Sequence, residues 1–122
     1  MFCNGCRSYV RGTSRHCKIC ARCVDYFDHH CVWINNCIGG PNYSIFMVMV
    51  LSAFIYNVLF IVAVAEVGKK VSWAEEAPLM AVSSILLLPS AAIAILLVIL
   101  AIFHFYLIAN NTNTFDFLTS NK

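Results

Sequence analysis

At 122 residues the chain has room for one small domain, or for a small module plus a pair of membrane helices. Hydrophobic residues make up 61% and charged residues only 11%, which is too apolar for an ordinary soluble domain of this length. A net charge of +2 gives no footing for a nucleic-acid partner, and all seven cysteines fall between Cys3 and Cys37.

Residues 1–43 form a polar, Cys-rich segment carrying Arg7, Arg11, Arg15, Lys18 and Arg22. Turn formers recur in it (Asn4-Gly5, Gly12, Gly39-Gly40-Pro41-Asn42), and no helical or strand period is sustained. Such a segment cannot bury enough apolar surface to fold alone, so bound metal is expected to supply the folding energy. A disulfide scaffold would suit a secreted chain, but the first apolar stretch begins only around Ile45, after the cysteines, where no signal peptide would lie. Cys-x-x-Cys spacings with interleaved His point instead to metal sites in a reducing compartment.

Residues 44–65 are uncharged and include Ile45, Phe46, Leu51, Phe54, Leu59 and Phe60. The stretch matches the ~20 residues that span hydrocarbon, which predicts a transmembrane helix. Residues 66–78 form a loop with Glu66, Lys69, Lys70, Trp73, Glu75, Glu76 and Pro78. A second uncharged run, 79–109, is longer than one span requires; it is expected to tilt, with Pro89 kinking it or marking the start of its membrane part. Residues 110–122 make a polar tail. The predicted class is membrane α-helical: a small Cys-rich two-zinc module with little regular structure, followed by two transmembrane helices. Five basic residues before the first span outnumber the two lysines of the loop, so the module and the tail are expected to be cytosolic and the loop luminal. No internal repeat or low-complexity segment stands out.

The pattern reads Cys3-x2-Cys6, then His16-Cys17-x2-Cys20-x2-Cys23, then Asp28-His29-His30-Cys31, then Cys37. Zinc takes four thiolate or imidazole ligands in a tetrahedron, and Cys-x-x-Cys brings two thiolates to one ion from a tight turn. Seven cysteines with His16, His29 and His30 give ten candidates, whereas two closed sites need eight. A cysteine is therefore expected to be left over beside an imidazole. A thiolate is a nucleophile, an adjacent imidazole can exchange its proton, and a carboxylate can orient that imidazole. Asp28, His29 and Cys31 supply these groups within four residues. Spacing leaves open which of His29 and His30 binds metal. Elsewhere the expectations are plainer. His104 should make an inter-helix hydrogen bond, and Tyr56 should pack on a neighbouring helix or line a pocket. Trp33 and Phe46 should support the site or anchor at the interface, while Asn35 and Asn36 build a turn.

The stretch from Cys3 to about Phe46, with Trp33, Asn36-Cys37, Gly39, Asn42 and Phe46 following the Asp-His-His-Cys tetrad, resembles the Cys-rich domain of the DHHC protein S-acyltransferases, or palmitoyltransferases. The resemblance implies two interleaved Cys3His zinc sites, one of Cys3, Cys6, His16 and Cys23 and one of Cys17, Cys20, His30 and Cys37. It implies that the zinc is structural and that Cys31 takes a fatty acyl group from acyl-CoA, typically palmitoyl-CoA. His29 would act as base and Asp28 would polarise it, before the acyl group passes to a cysteine of a substrate protein. It further implies roles for Trp33 and Thr114 in binding the acyl donor. The family's Thr-Thr-x-Glu motif appears here as Asn113-Thr114-Phe115-Asp116; Val32 replaces the Pro usual after the tetrad, and Val10-Arg11-Gly12 replaces an upstream basic-Pro element. The two apolar runs resemble the family's third and fourth helices, so the chain is expected to be an N-terminally truncated member. The implied setting is an endomembrane, Golgi or endoplasmic reticulum, with the bilayer and proteins bearing cytosolic juxtamembrane cysteines as partners. The rival expectation is a membrane-anchored zinc module that binds partners without catalysis. A nucleic-acid zinc finger is excluded by the lack of a basic recognition helix.

Overall fold

The computed structural model describes residues 1–69 and 77–120. Lys70, Trp73, Glu75 and Glu76 of the expected loop, and Asn121 and Lys122 of the expected tail, lie outside the described residues. Two units are present: residues 1–47 together with 104–122, and residues 48–103.

The first unit begins with three antiparallel hairpins. β1 (Phe2–Cys3) pairs with β2 (Ser8–Tyr9), β3 (Ser14–Cys17) with β4 (Arg22–Asp25), and β5 (His29–Cys31) with β6 (Asn36–Ile38). Strands of two to four residues are too short to leave an alternating pattern in the sequence, which is why no strand period is visible there.

The expectation that the chain lacks an internal repeat is corrected by the register. Phe2↔Tyr9, His16↔Cys23 and His30↔Cys37 are equivalent cross-strand pairs, and so are Cys3↔Ser8, Cys17↔Arg22 and Cys31↔Asn36; each series advances by 14 residues. A four-residue turn closes every hairpin, at 4–7, 18–21 and 32–35. The last residue of each turn is left-handed, at φ 50° for Arg7, 49° for Ala21 and 47° for Asn35. The repeat is one of backbone shape and sulfur position. Along it Cys3, Cys17 and Cys31 recur in all three hairpins, and Cys6 with Cys20, His16 with His30 and Cys23 with Cys37 in two.

Within residues 1–43, Ile38 is the one apolar residue besides cysteine that is fully buried. The hairpins thus hold almost no oily core, in keeping with a fold that needs metal. Asn42 ties them to the first helix. Its side chain accepts from Gly39 N–H (2.9 Å) and donates to the Cys37 carbonyl (3.0 Å), and its own carbonyl accepts the first helical bond, from Phe46 N–H (2.9 Å). Buried Ile38, Phe46, Met47 and Leu107 complete the core of this unit.

α1 (Tyr43–Lys69) and α2 (Ala77–Ala109) both outrun the uncharged stretches that mark them in the sequence, because a helix does not have to end where the hydrocarbon does. α1 takes in Glu66 and Lys69, which form an ion pair one turn apart. Pro89 lies inside α2 rather than at its start, and Ser90 Oγ donates to the Leu86 carbonyl at 2.7 Å in the turn beside it. Both helices are long and apolar enough to cross a bilayer, with mean hydropathies of 2.6 and 3.0. Only 17% and 11% of these windows are buried within the chain, unlike core helices of a soluble domain. The architecture is membrane α-helical: a Cys-rich module with little regular structure followed by two long apolar helices. Tyr56 stands 73% exposed on α1.

The tail is not wholly irregular. Thr114–Ser120 forms a short helix, α3. Asn113 caps it: its Oδ1 accepts from Asp116 N–H (2.8 Å) and its Nδ2 donates to Asp116 Oδ2 (2.7 Å), a reciprocal N-terminal box that accounts for Asn and Asp at these two places.

Candidate metal centres and thiol site

Two sets of donors converge in the hairpins: Cys3, Cys6, His16 and Cys23, and Cys17, Cys20, His30 and Cys37. In the first, Nδ1 of His16 lies 3.6, 3.3 and 3.9 Å from the sulfurs of Cys3, Cys6 and Cys23. In the second, Nδ1 of His30 lies 3.8, 3.4 and 3.7 Å from those of Cys17, Cys20 and Cys37. A zinc tetrahedron with Zn–S of ~2.3 Å and Zn–N of ~2.0 Å has edges of roughly 3.5–3.8 Å, so both sets fit the ion without rearrangement. The crowding of sulfurs argues the same way. Hydrogen bonding with Cys3, burial and the neighbouring Cys6 push the Cys23 thiol up to about 12; burial and then Cys20 and Cys17 push Cys37 up to about 12. Three such thiols can all be thiolates near neutral pH only around a cation. All seven cysteines are free of disulfides.

Local geometry explains the ligand sets. The N–H of Cys6 and of Cys20 each reach back 3.5 Å to the sulfurs of Cys3 and Cys17, so each turn supports its own first thiolate. Gly5 is required beside His16, where a Cβ would come within 2.7 Å of the imidazole ring.

His29 and Cys31 belong to neither set, and the structure joins them to Asp28. His29 Nδ1 donates to Asp28 Oδ2 at 2.7 Å, leaving Nε2 as the ring nitrogen not held by the carboxylate. Asp28 is 2% exposed and its oxygens are fully engaged: Oδ1 accepts from Thr114 N–H and Oδ2 from Thr114 Oγ1, both at 2.8 Å. Burial raises the Asp28 carboxyl, but the bonds from His29 and Thr114 outweigh it and hold the group below its ordinary value. The bond to Asp28 raises His29, against burial. Burial raises Cys31 as well, yet His29 and the N–H groups of Ile34 and Trp33 bring the thiol below its ordinary value. The trio is thus polarised towards imidazolium and thiolate.

Thr114 reaches Asp28 because α3 is docked by its next residue. Phe115 meets Phe27 edge to face (centroids 5.9 Å apart), and the Arg15 guanidinium lies 5.5 Å from its ring centre. Expected as part of a donor-binding surface, Thr114 commits both its N–H and its hydroxyl to the carboxylate. Trp33 sits in the turn that follows Cys31, 92% exposed, and the structure brings it against neither Asp28 nor His29.

His104 is expected to bond across helices and does: its Nδ1 and the Tyr43 hydroxyl are hydrogen-bonded at 2.8 Å. Its place beside the thiol site was not foreseen. The His104 ring lies 5.9 Å from that of His29 and 5.0 Å from that of Phe46, and Phe46 in turn stands edge-on to His29 at 5.4 Å. The only signal in the sequence was a polar residue within an apolar run. Asp28, His29 and His104 also converge as donors, with His29 Nδ1 bonded to Asp28 and His104 Nδ1 to Tyr43.

Two Cys3His clusters that fit zinc stand beside Asp28, His29 and Cys31, on a chain with two helices long and apolar enough to cross a bilayer. The chain matches the model of the DHHC palmitoyltransferase family over residues 1–121 and belongs to that family. It is 35% identical to Palmitoyltransferase ZDHHC15A of Danio rerio over 97% of its own length and 37% of the relative's. It is 34% identical to Probable protein S-acyltransferase 15 of Arabidopsis thaliana, over 98% and 48% respectively. To Palmitoyltransferase ZDHHC5 of Rattus norvegicus it is 33% identical, over 97% and 16%. The chain therefore spans less than half the length of these curated relatives.

Proposed function

We propose that the chain is the catalytic part of a protein-cysteine S-palmitoyltransferase that carries a fatty acyl group on Cys31. The observation that carries this reading is that His29 and Cys31 stand apart from both metal clusters while His29 Nδ1 is bonded to the buried Asp28 carboxylate at 2.7 Å. In the first half-reaction the Cys31 thiolate attacks the thioester carbonyl of acyl-CoA. The new sulfur–carbon bond forms, the bond to CoA breaks, and the proton on His29 Nε2 passes to the departing CoA sulfur. In the second, His29 takes the proton of a substrate cysteine, whose sulfur attacks the acyl group and releases Cys31 as a thiolate. Asp28 holds the imidazole in the tautomer that presents Nε2 to sulfur, and Thr114 holds Asp28. Zinc at the two Cys3His sets would be structural, fixing β5 and β6 and hence the backbone on either side of Cys31.

Residues 1–43 are the catalytic module, 44–65 and 79–109 the membrane segments, 66–78 the luminal connection between them and 110–122 a cytosolic tail. The bonds from Thr114 to Asp28 support a shared face for module and tail, and the basic residues of the module support a cytosolic one. The donor is palmitoyl-CoA, with Trp33 at the mouth of the site, and the acceptors are proteins with cytosolic juxtamembrane cysteines on Golgi or endoplasmic reticulum membranes. The test is autoacylation with a clickable fatty acyl-CoA. Wild-type protein loaded with two zinc ions should take up hydroxylamine-labile label, and Cys31→Ser should take up none. Label that survives the substitution, or folded zinc-loaded protein that is never labelled, would favour a zinc module that binds partners without catalysis.

A further inference from the structure

The metal clusters are built by a hand-over from hairpin to hairpin. Cys3 and Cys6 of the first turn are closed into a cluster by His16 and Cys23 of the second hairpin, and Cys17 and Cys20 of the second turn by His30 and Cys37 of the third. Side chains alternate along a strand, so His16 and Cys17 face opposite ways, as do His30 and Cys31. Each hairpin therefore closes the cluster before it and opens the next. At the start of the array the closing positions are Phe2 and Tyr9, whose rings meet edge to face at 5.3 Å. At its end, Cys31 takes the opening position held by Cys3 and Cys17, and the second-thiol position of Cys6 and Cys20 is filled by Ile34. No fourth hairpin follows among the described residues, because α1 begins at Tyr43. The 14-residue step would place the next closing His and Cys at positions 44 and 51, which are Ser44 and Leu51.

The third turn nonetheless keeps the knuckle form. It has the same length and the same left-handed last residue as the other two. In the first two turns the Cys6 and Cys20 amides bond back to the Cys3 and Cys17 sulfurs at 3.5 Å, and in the third the amides of Ile34 and Trp33 help to hold the Cys31 thiol below its ordinary value. What Cys31 has beside it in place of metal donors is His29, on its own side of β5.

We propose that the third hairpin is a zinc knuckle left open, in which Ile34 reserves the Cys31 sulfur for acyl transfer by denying a metal its second thiolate. This rests on Cys31 being the acyl carrier. Cys31 and His29 offer two donors, too few to hold zinc, whereas a third donor at position 34 would complete a three-ligand site of the open kind. Ile34 is 41% exposed at the tip of its turn, so replacing it leaves the core untouched.

The test is a metal count on the whole chain, purified under reducing conditions. Wild type and Ile34→Ala should each bind two zinc ions. Ile34→Cys and Ile34→His should each bind three and show added thiolate-to-cobalt absorption after cobalt substitution. Adding Cys31→Ser to Ile34→Cys should return the count to two. Two ions in both donor variants, or a third ion that survives loss of Cys31, would overturn the proposal. A wild-type protein that is never acylated would instead sink the catalytic reading, which the ion counts do not depend on.

Discussion

The second and third hairpins share register, turn length and turn conformation, yet both turn cysteines of the second belong to a metal cluster, whereas Cys31 of the third belongs to none. Of the equivalent positions that differ, four bear on the sulfur of the incoming strand. Ser14 and Arg15 become Asp28 and His29 on the incoming strand, and Cys20 and Ala21 become Ile34 and Asn35 in the turn. In the second hairpin Ser14 hydrogen-bonds Asp25, and Arg15 reaches a nearby carbonyl and stacks on Phe115. In the third, the same two places hold the carboxylate and imidazole that serve Cys31. A backbone turn that stabilises a metal-bound thiolate also stabilises a free one, and side chains at a few positions decide which chemistry follows.

The largest effect is expected from breaking the metal side of this comparison. Cys20→Ala removes one thiolate of the second cluster, whose other end is His30 and Cys37 in the third hairpin. Structural zinc contributes on the order of 10 kcal/mol to such modules, so zinc content should fall to one ion and hydrogen exchange across residues 14–38 should lose its protection. Acylation would vanish as a consequence of lost structure. Cys31→Ser should abolish acylation just as completely while leaving two zinc ions and the exchange pattern intact. A change in zinc content in Cys31→Ser would mean that its sulfur does hold metal. Asp28→Asn comes next: with the imidazole no longer held or polarised, single-turnover acylation should fall by roughly 10²–10⁴-fold at constant zinc content. Thr114→Val removes only the hydroxyl bond to Asp28 and keeps the amide bond. It should cost about tenfold, the equivalent of one such bond at ~1–1.5 kcal/mol.

The sequence carries the metal ligands plainly because zinc coordination needs particular residues at particular separations, and the two apolar helices because the bilayer sets their length. The division of labour between His29 and His30 is invisible in spacing. It depends on strand alternation, which turns His30 towards the second cluster and His29 towards Cys31, in a strand three residues long. Thr114 could be matched to a motif, but its bonds to Asp28, 86 residues away, depend on Phe115 packing on Phe27 and on the Asn113 cap. His104 and Phe46 are brought to His29 by tertiary packing that no local pattern encodes. The 14-residue repeat shows in the sequence only through its Cys and His spacing, because its left-handed turn residues are not glycine, the usual marker of such a conformation.

That last feature supplies the smallest and sharpest comparison. Ala21 and Asn35 are equivalent residues with φ of 49° and 47°. Alanine pays a Cβ clash in this region, whereas asparagine tolerates it. Ala21→Gly should therefore relieve about 1 kcal/mol in the second turn and tighten zinc retention against a competing chelator roughly fivefold. Asn35→Gly should change zinc retention by less than about twofold, since no strain is relieved and no cluster opens on that turn. Equal gains from both substitutions would mean that the third turn bears the same load as the second, and that its sulfur is held by more than backbone amides and His29.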